Sequence, residues 1–134
     1  VSLEPLKNIF YHQIPIEVRD VHLRIHPEIR LRPWLFNLLY KIENIEIVTL
    51  QLNQLNMIGT PCDFSGELVP LIEKNVKTTN PFMVTSFNGN YIGYVNHPKH
   101  YYQDDNEINQ MTWLGEDNGY YFVEIMTKII NKLN

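Results

Sequence analysis

A single cysteine, Cys62, stands in the whole chain, so no internal disulfide can form and cysteine usage carries no signal of compartment. Positive charge is sparse: 11 basic side chains face 15 acidic ones, for a net charge of −4, and no long basic block occurs. That balance argues against a nucleic-acid binder working by phosphate neutralisation. No apolar run approaches the ~20 residues needed to cross a bilayer. No signal-peptide pattern opens the printed sequence, which starts at Val1 and is expected to be a piece of something longer. Internal repeats and low-complexity segments are lacking too. What remains is an ordinary globular balance of 44% apolar and 19% charged residues over 134 positions. One domain, 1–134, is expected, with a core that forms without disulfide or metal.

Residues 14–26, IPIEVRDVHLRIH, alternate apolar and polar, with a phase slip at Arg19-Asp20. The pattern predicts a strand with one wet face and a bulge or bend. WLFNLLYKI (34–42) is an apolar run of either type. IEIVTLQLNQLNMI (45–58) is the clearest strand signal and predicts a hairpin around Asn53-Gln54. The region 14–58 is therefore expected to be strand-rich, and 59–134 to run strand, helix, strand, loop, helix. Leu68, Leu71, Ile72 and Val76 set a helical spacing over 65–77, with Pro70 restricting its start. FMVTSF (82–87) reads as a buried strand and NGN (88–90) as a turn, with YIGYV (91–95) following it closely. HPKHYYQDDNEINQ (97–110) reads as a long polar loop. Asp117 or Asn118 is expected to cap a closing helix with Tyr121, Phe122, Ile125, Ile129, Ile130 and Leu133 in one stripe. Strands and helices mix, which gives an α/β or α+β fold, a mixed sheet with flanking helices.

Among residues that carry chemistry, Cys62 has two readings: a small packed residue, or a nucleophile served by His97 or His100. Asp63 follows a strand end, where open α/β sheets build their sites, but an aspartate there equally serves as a helix N-cap. The His97/His100 pair is a weak metal signal in a loop. Asp104, Asp105 and Glu107 read as a solvated acidic loop, and the tyrosines as core and rim.

Three ordered blocks carry a resemblance. GTPCDFSGEL (59–68), NGNYIGYVNHPKHYY (88–102) and WLGEDNGYYFVEIMTKII (113–130) resemble successive segments of the neutral/alkaline, non-lysosomal ceramidases. These are a Pro-Gly-Glu-Phe strand end, an Asn-x-Tyr-x-x-Tyr-Val/Ile segment, and a Phe-Gly-Pro-x-Thr turn with its helix. The resemblance covers roughly 45–134 well and 14–44 loosely, and implies the C-terminal part of the catalytic domain. Members of that family are zinc amidases that cleave the N-acyl bond of ceramide. It implies zinc as cofactor, held by two histidines from an earlier part of the chain and by a Glu and a Tyr from this part. Asp63 takes the Glu position and Tyr91 the Tyr position, with Tyr94 or Asp117 as candidates to orient them. The resemblance also implies a ceramide-like lipid substrate and a secreted, periplasmic or membrane-associated parent.

This sequence departs from the pattern in three ways. Asp63 is one methylene shorter than Glu. The basic residues that follow in the family give way to Glu67. The zinc histidines belong to a part outside these residues, and His22 and His26 lie in the wrong place to replace them. The isolated chain is accordingly expected to be inactive, and to self-associate through exposed apolar surface. The alternative reading is a non-catalytic α/β binding module that keeps the scaffold only.

Overall fold

The computed structural model describes residues 5–26 and 28–133. Its centre is a four-stranded mixed sheet built from β1 (Ile9–Pro15), β4 (Glu46–Leu52), β5 (Leu55–Gly59) and β7 (Phe82–Thr85), in that spatial order. β1 and β5 run antiparallel to β4, and β7 runs parallel to β5. The β4–β5 hairpin turns at Asn53, whose φ of +53° is one that asparagine tolerates better than most residues. A short antiparallel pair, β2 (Arg24–His26) with β3 (Ile29–Arg30), leads into α1 (Pro33–Leu39). β6 (Asp63–Phe64) pairs in parallel with β8 (Tyr94–Val95). The helices are α1, α2 (Val69–Asn75), α3 (Asn106–Met111) and α4 (Asn118–Lys132). The mixed sheet with flanking helices is the α/β architecture expected.

The register divides the sheet into two faces. Ile14, Ile47, Thr49, Asn56, Ile58, Phe82 and Val84 share one face, and its aliphatic members join Ile72 of α2 and Phe122, Met126, Ile129 and Ile130 of α4 in one core. Gln51 Nε2, on the same face, donates to the Leu133 carbonyl at 2.6 Å and fixes the end of α4 against β4. The opposite face carries Ile9, Tyr11, Val48, Leu50, Leu52, Leu55, Met57 and Met83, none of them buried.

Several boundaries differ from expectation. The first strand is 9–15, and 16–23 belongs to no strand or helix. The alternation there arises because Val21 is buried and Ile16, Val18 and Leu23 pack against the core. Its backbone is tied at single points, Ile16 N–H to Ile45 O and His22 N–H to Trp113 O. FMVTSF is a half-buried edge strand, not a central one, and only Tyr94–Val95 of YIGYV pairs as a strand. The polar stretch 97–110 is not one loop. It holds a 3₁₀ turn, Pro98–His100, and then α3, whose N-cap Asp105 accepts from Glu107 N–H (2.9 Å) and Ile108 N–H (3.1 Å). The helix read over 65–77 opens with a 3₁₀ turn, Gly66–Leu68, and becomes α-helical at Val69, with Pro70 in its first turn as Pro requires.

Candidate functional site

After β5 the chain threads between two returning segments and bonds to both. Thr60 N–H donates to Thr85 O (2.8 Å), Asn88 N–H to Thr60 O (2.9 Å) and Phe87 N–H to Cys62 O (3.1 Å). On the other side, Ile92 N–H donates to Pro61 O (2.9 Å), Asp63 N–H to Gly93 O (3.1 Å) and Ser65 N–H to Val95 O (3.0 Å). Phe64 N–H is taken by Ser86 Oγ at 3.0 Å. This ladder holds the Asp63 backbone opposite Tyr94 and beside the Tyr91 turn. Asp63 therefore sits in a strand pair and makes no cap: α2 begins further on, and neither its N-cap nor that of the 3₁₀ turn makes a side-chain bond.

Tyr91 lies in an aromatic stack. Phe87 is nearly parallel to it, with centroids 5.7 Å apart, and Trp113 meets it edge-on at 5.5 Å. Phe87 adopts φ of +60°, a strained choice for an aromatic residue, and is 64% exposed. Burial raises the phenol pKa of Tyr91, and the neighbouring Asp63, Cys62 and Glu107 raise it further. Tyr94 donates its hydroxyl to Glu107 Oε1, a bond that with burial and nearby charge pushes its pKa up to about 12. The corner is thus Asp63, Tyr91, Tyr94 and Glu107, with Phe87 and Trp113 as its aromatic wall. Glu107 is exposed, in keeping with its reading as solvated, and what sequence reasoning missed is its bond to Tyr94. The signal was the Asp105 cap, which starts a helix and sets Glu107 in its first turn.

Cys62 is fully buried and its thiol is pushed up to about 12, chiefly by burial. A thiol so placed is no nucleophile near neutral pH, and the cysteine-hydrolase reading is discarded. Its histidine partners are engaged elsewhere. His97 Nδ1 accepts from Lys99 N–H (3.2 Å), and its ring packs on Tyr120. His100 Nε2 bonds Glu67 Oε2 at 2.7 Å. Asp117 lines a different cavity, with Arg19 and Tyr121, and does not orient Asp63 or Tyr91.

Among the described residues, no three His, Cys, Asp or Glu side chains gather as a metal would need. Asp63 and Tyr91 offer two oxygen donors, half of a tetrahedral zinc shell, and this donor set alone does not fit a closed site. Among the described residues, no helix is long and apolar enough to cross a membrane.

No family model matches the sequence, and no curated protein matches it. By fold, the chain is similar to the crystal structure of a neutral ceramidase from Pseudomonas aeruginosa, with a TM-score of 0.65 and 13% identity over 96% of this chain. It is also similar to a structure described as ceramidase complexed with C2, with a TM-score of 0.57 and 17% identity over 66% of this chain. It spans only 29% of the first of those chains and 14% of the second. The fold of this chain is ceramidase-like.

Proposed function

We propose that this chain is the C-terminal portion of a ceramidase-like zinc amidase domain and supplies one wall of its site. The observation that carries the reading is the backbone ladder through 60–65, which ends Asp63 beside Tyr91 within a ceramidase-like fold. In this reading the Asp63 carboxylate and the Tyr91 phenol are two zinc ligands, and histidines from elsewhere in the parent complete the shell. A zinc ion held there would supply Lewis-acid polarisation of an amide carbonyl and a bound water with its pKa lowered to near ~7. The chain's own residues orient and exclude. Trp113 and Phe87 fix the Tyr91 ring, and the exposed Phe87 face gives a lipid chain an apolar footing. Tyr94 keeps the Glu107 carboxylate engaged. The substrate is an N-acyl lipid of the ceramide type, and the isolated chain is inactive.

A second reading, a non-catalytic module on the same scaffold, is favoured by the incomplete donor set. One pair of measurements separates the two. In the complete parent polypeptide supplied with zinc, fatty acid is released from an N-acyl sphingoid lipid, and Asp63→Ala abolishes release. In calorimetry on this chain alone, zinc binds weakly, and both Asp63→Ala and Tyr91→Phe weaken it further. A parent that hydrolyses no amide or ester lipid leaves the scaffold reading. Zinc binding indifferent to both variants removes these residues from the ligand set.

A further inference from the structure

The core uses only part of the apolar run at 34–42. From α1 one ring turns inward: Phe36 is buried and meets Trp113 edge-on, with centroids 5.0 Å apart. Tyr40, at the C-cap, stacks on Phe36 at 5.6 Å and reaches Trp113 at 5.5 Å. Trp113 is the same indole that meets the Tyr91 ring, so α1 and the Asp63–Tyr91 corner rest on one side chain.

The rest of the run faces solvent. Trp34 is 65% exposed, Leu38 74%, Leu39 69% and Tyr40 58%. Trp34 and Leu38 are one turn apart and share a helix face roughly opposite Phe36. Soluble proteins rarely gather large apolar side chains into one exposed patch unless something meets it. Basic groups frame this one. Arg32, exposed at the N-cap, has no carboxylate within ion-pair distance among the described residues. Lys41 follows the helix and bonds Glu43 at 2.6 Å, a pair exposed on both sides and therefore easily exchanged for another anion. Arg30, two residues before Arg32, lies instead towards the Tyr101 ring and is no part of the frame.

We propose that α1 is a docking element for an anionic lipid surface, with Trp34, Leu38 and Leu39 entering the headgroup region and Arg32 and Lys41 meeting lipid phosphates. Residue chemistry selects this occupant. Indole and phenol rings settle at headgroup depth, leucines reach the acyl boundary, and a guanidinium and an ammonium at the two ends of the run bond phosphate oxygens. Seven residues are far too few to span a bilayer, so the helix lies along its surface. The apolar side chains supply the affinity, and the two basic groups orient the helix. The proposal does not depend on the zinc-site reading. Its consequence for the corner is positional: through Phe36 and Trp113, a docked α1 holds Tyr91 in a fixed relation to the lipid surface.

The test is flotation of this chain with vesicles of phosphatidylcholine and phosphatidylserine, with tryptophan emission read alongside. Binding is expected, and emission moves to shorter wavelength as Trp34 leaves water, since Trp113 is buried already. Leu38→Gln with Leu39→Gln should weaken binding about tenfold or more. Arg32→Gln with Lys41→Gln should weaken it about tenfold. All four side chains are exposed, so both variants keep the native circular dichroism. Met57→Gln with Met83→Gln alters the outer sheet face instead and should leave binding as it is, which separates α1 from general stickiness. No binding, binding that ignores the leucine pair or the basic pair, or binding lost equally in the methionine pair would overturn the proposal. So would a leucine pair that stops self-association while vesicles go unbound, which assigns the patch to a protein partner.

Discussion

At the scale of single residues, Gly93 positions the corner more than any charged group does. Its carbonyl accepts the Asp63 N–H, its φ is +82°, and an added Cβ would fall on the Met111 carbonyl and within 2.9 Å of the Trp113 ring. Both the backbone strain and the clash act against any side chain there. Gly93→Ala is therefore expected to destabilise the fold by about 2–4 kcal/mol and to move Trp113 away from the Tyr91 edge. Denaturant unfolding and the tryptophan emission spectrum in a Trp34→Phe background, where Trp113 is the remaining emitter, read the two effects. Gly66→Ala is the control: a Cβ there meets nothing within 4 Å, and the change should be close to neutral. A Gly93→Ala protein as stable as the Gly66→Ala one would contradict this account. Nothing in YIGYV announces the role, because a period-2 pattern cannot distinguish a paired strand from a turn that needs positive φ. Cys62 was easier to read: one cysteine in a Thr-Pro turn at a strand end has packing as its simplest role, and complete burial agrees with it.

At the scale of elements, what could be read depended on how much of an element's signal was local. The β4–β5 hairpin and α4 were legible, because alternation or a helical stripe and the punctuating polar residues lie within the element. α3 was not, since six mostly polar residues carry no stripe and only the Asp105 cap marks them. The clamp between the 3₁₀ turn at Gly66–Leu68 and the one at Pro98–His100 was also hidden, because its partners are far apart in sequence. There Glu67 receives Lys99 Nζ and His100 Nε2 together. Lys99 and then His100 lower the Glu67 pKa below 4.5, while Glu67 and then Gln103 raise that of His100 above 6.5. The lowered carboxylate contributes above its ordinary value, and that contribution fades as pH falls through its folded value. The raised imidazole contributes fully below its ordinary value, and that contribution is lost as pH rises through its folded value. The two overlap between 4.5 and 6.5, where the clamp holds best. Glu67→Gln should return the His100 midpoint towards the ordinary imidazole value, read by its ring Cε1–H shift against pH. A midpoint that stays raised in the variant would show that Glu67 is not its cause.

At the scale of the whole molecule, the sheet has two apolar faces, and among the described residues helices pack on one of them. β4, EIVTLQL, alternates, with Ile47, Thr49 and Gln51 on the helix side and Val48, Leu50 and Leu52 on the other. Sequence alone, however, does not say which side is left open. That required the register, which gathers Ile9, Tyr11, Val48, Leu50, Leu52, Leu55, Met57 and Met83 on the outer face. Among the described residues β1 is an edge of the sheet, and it adds Ile9 and Tyr11, each more than half exposed, to that face. An aliphatic sheet face left half-buried has, in the isolated chain, water or a second copy to meet. Self-association of the isolated chain is the expected outcome, driven by area removed from water at roughly 25 cal/mol per Å² before the cost of association. Leu50 and Met57 are direct partners across the β4–β5 pair at the middle of this face. Leu50→Lys with Met57→Lys puts two like charges there without touching the core side. The expected result is a sedimentation coefficient that rises with concentration for the native chain and stays monomeric for the double variant, with unchanged circular dichroism. A native chain that remains monomeric at every concentration would mean that the half-buried aliphatics already shield one another well enough to stand in water.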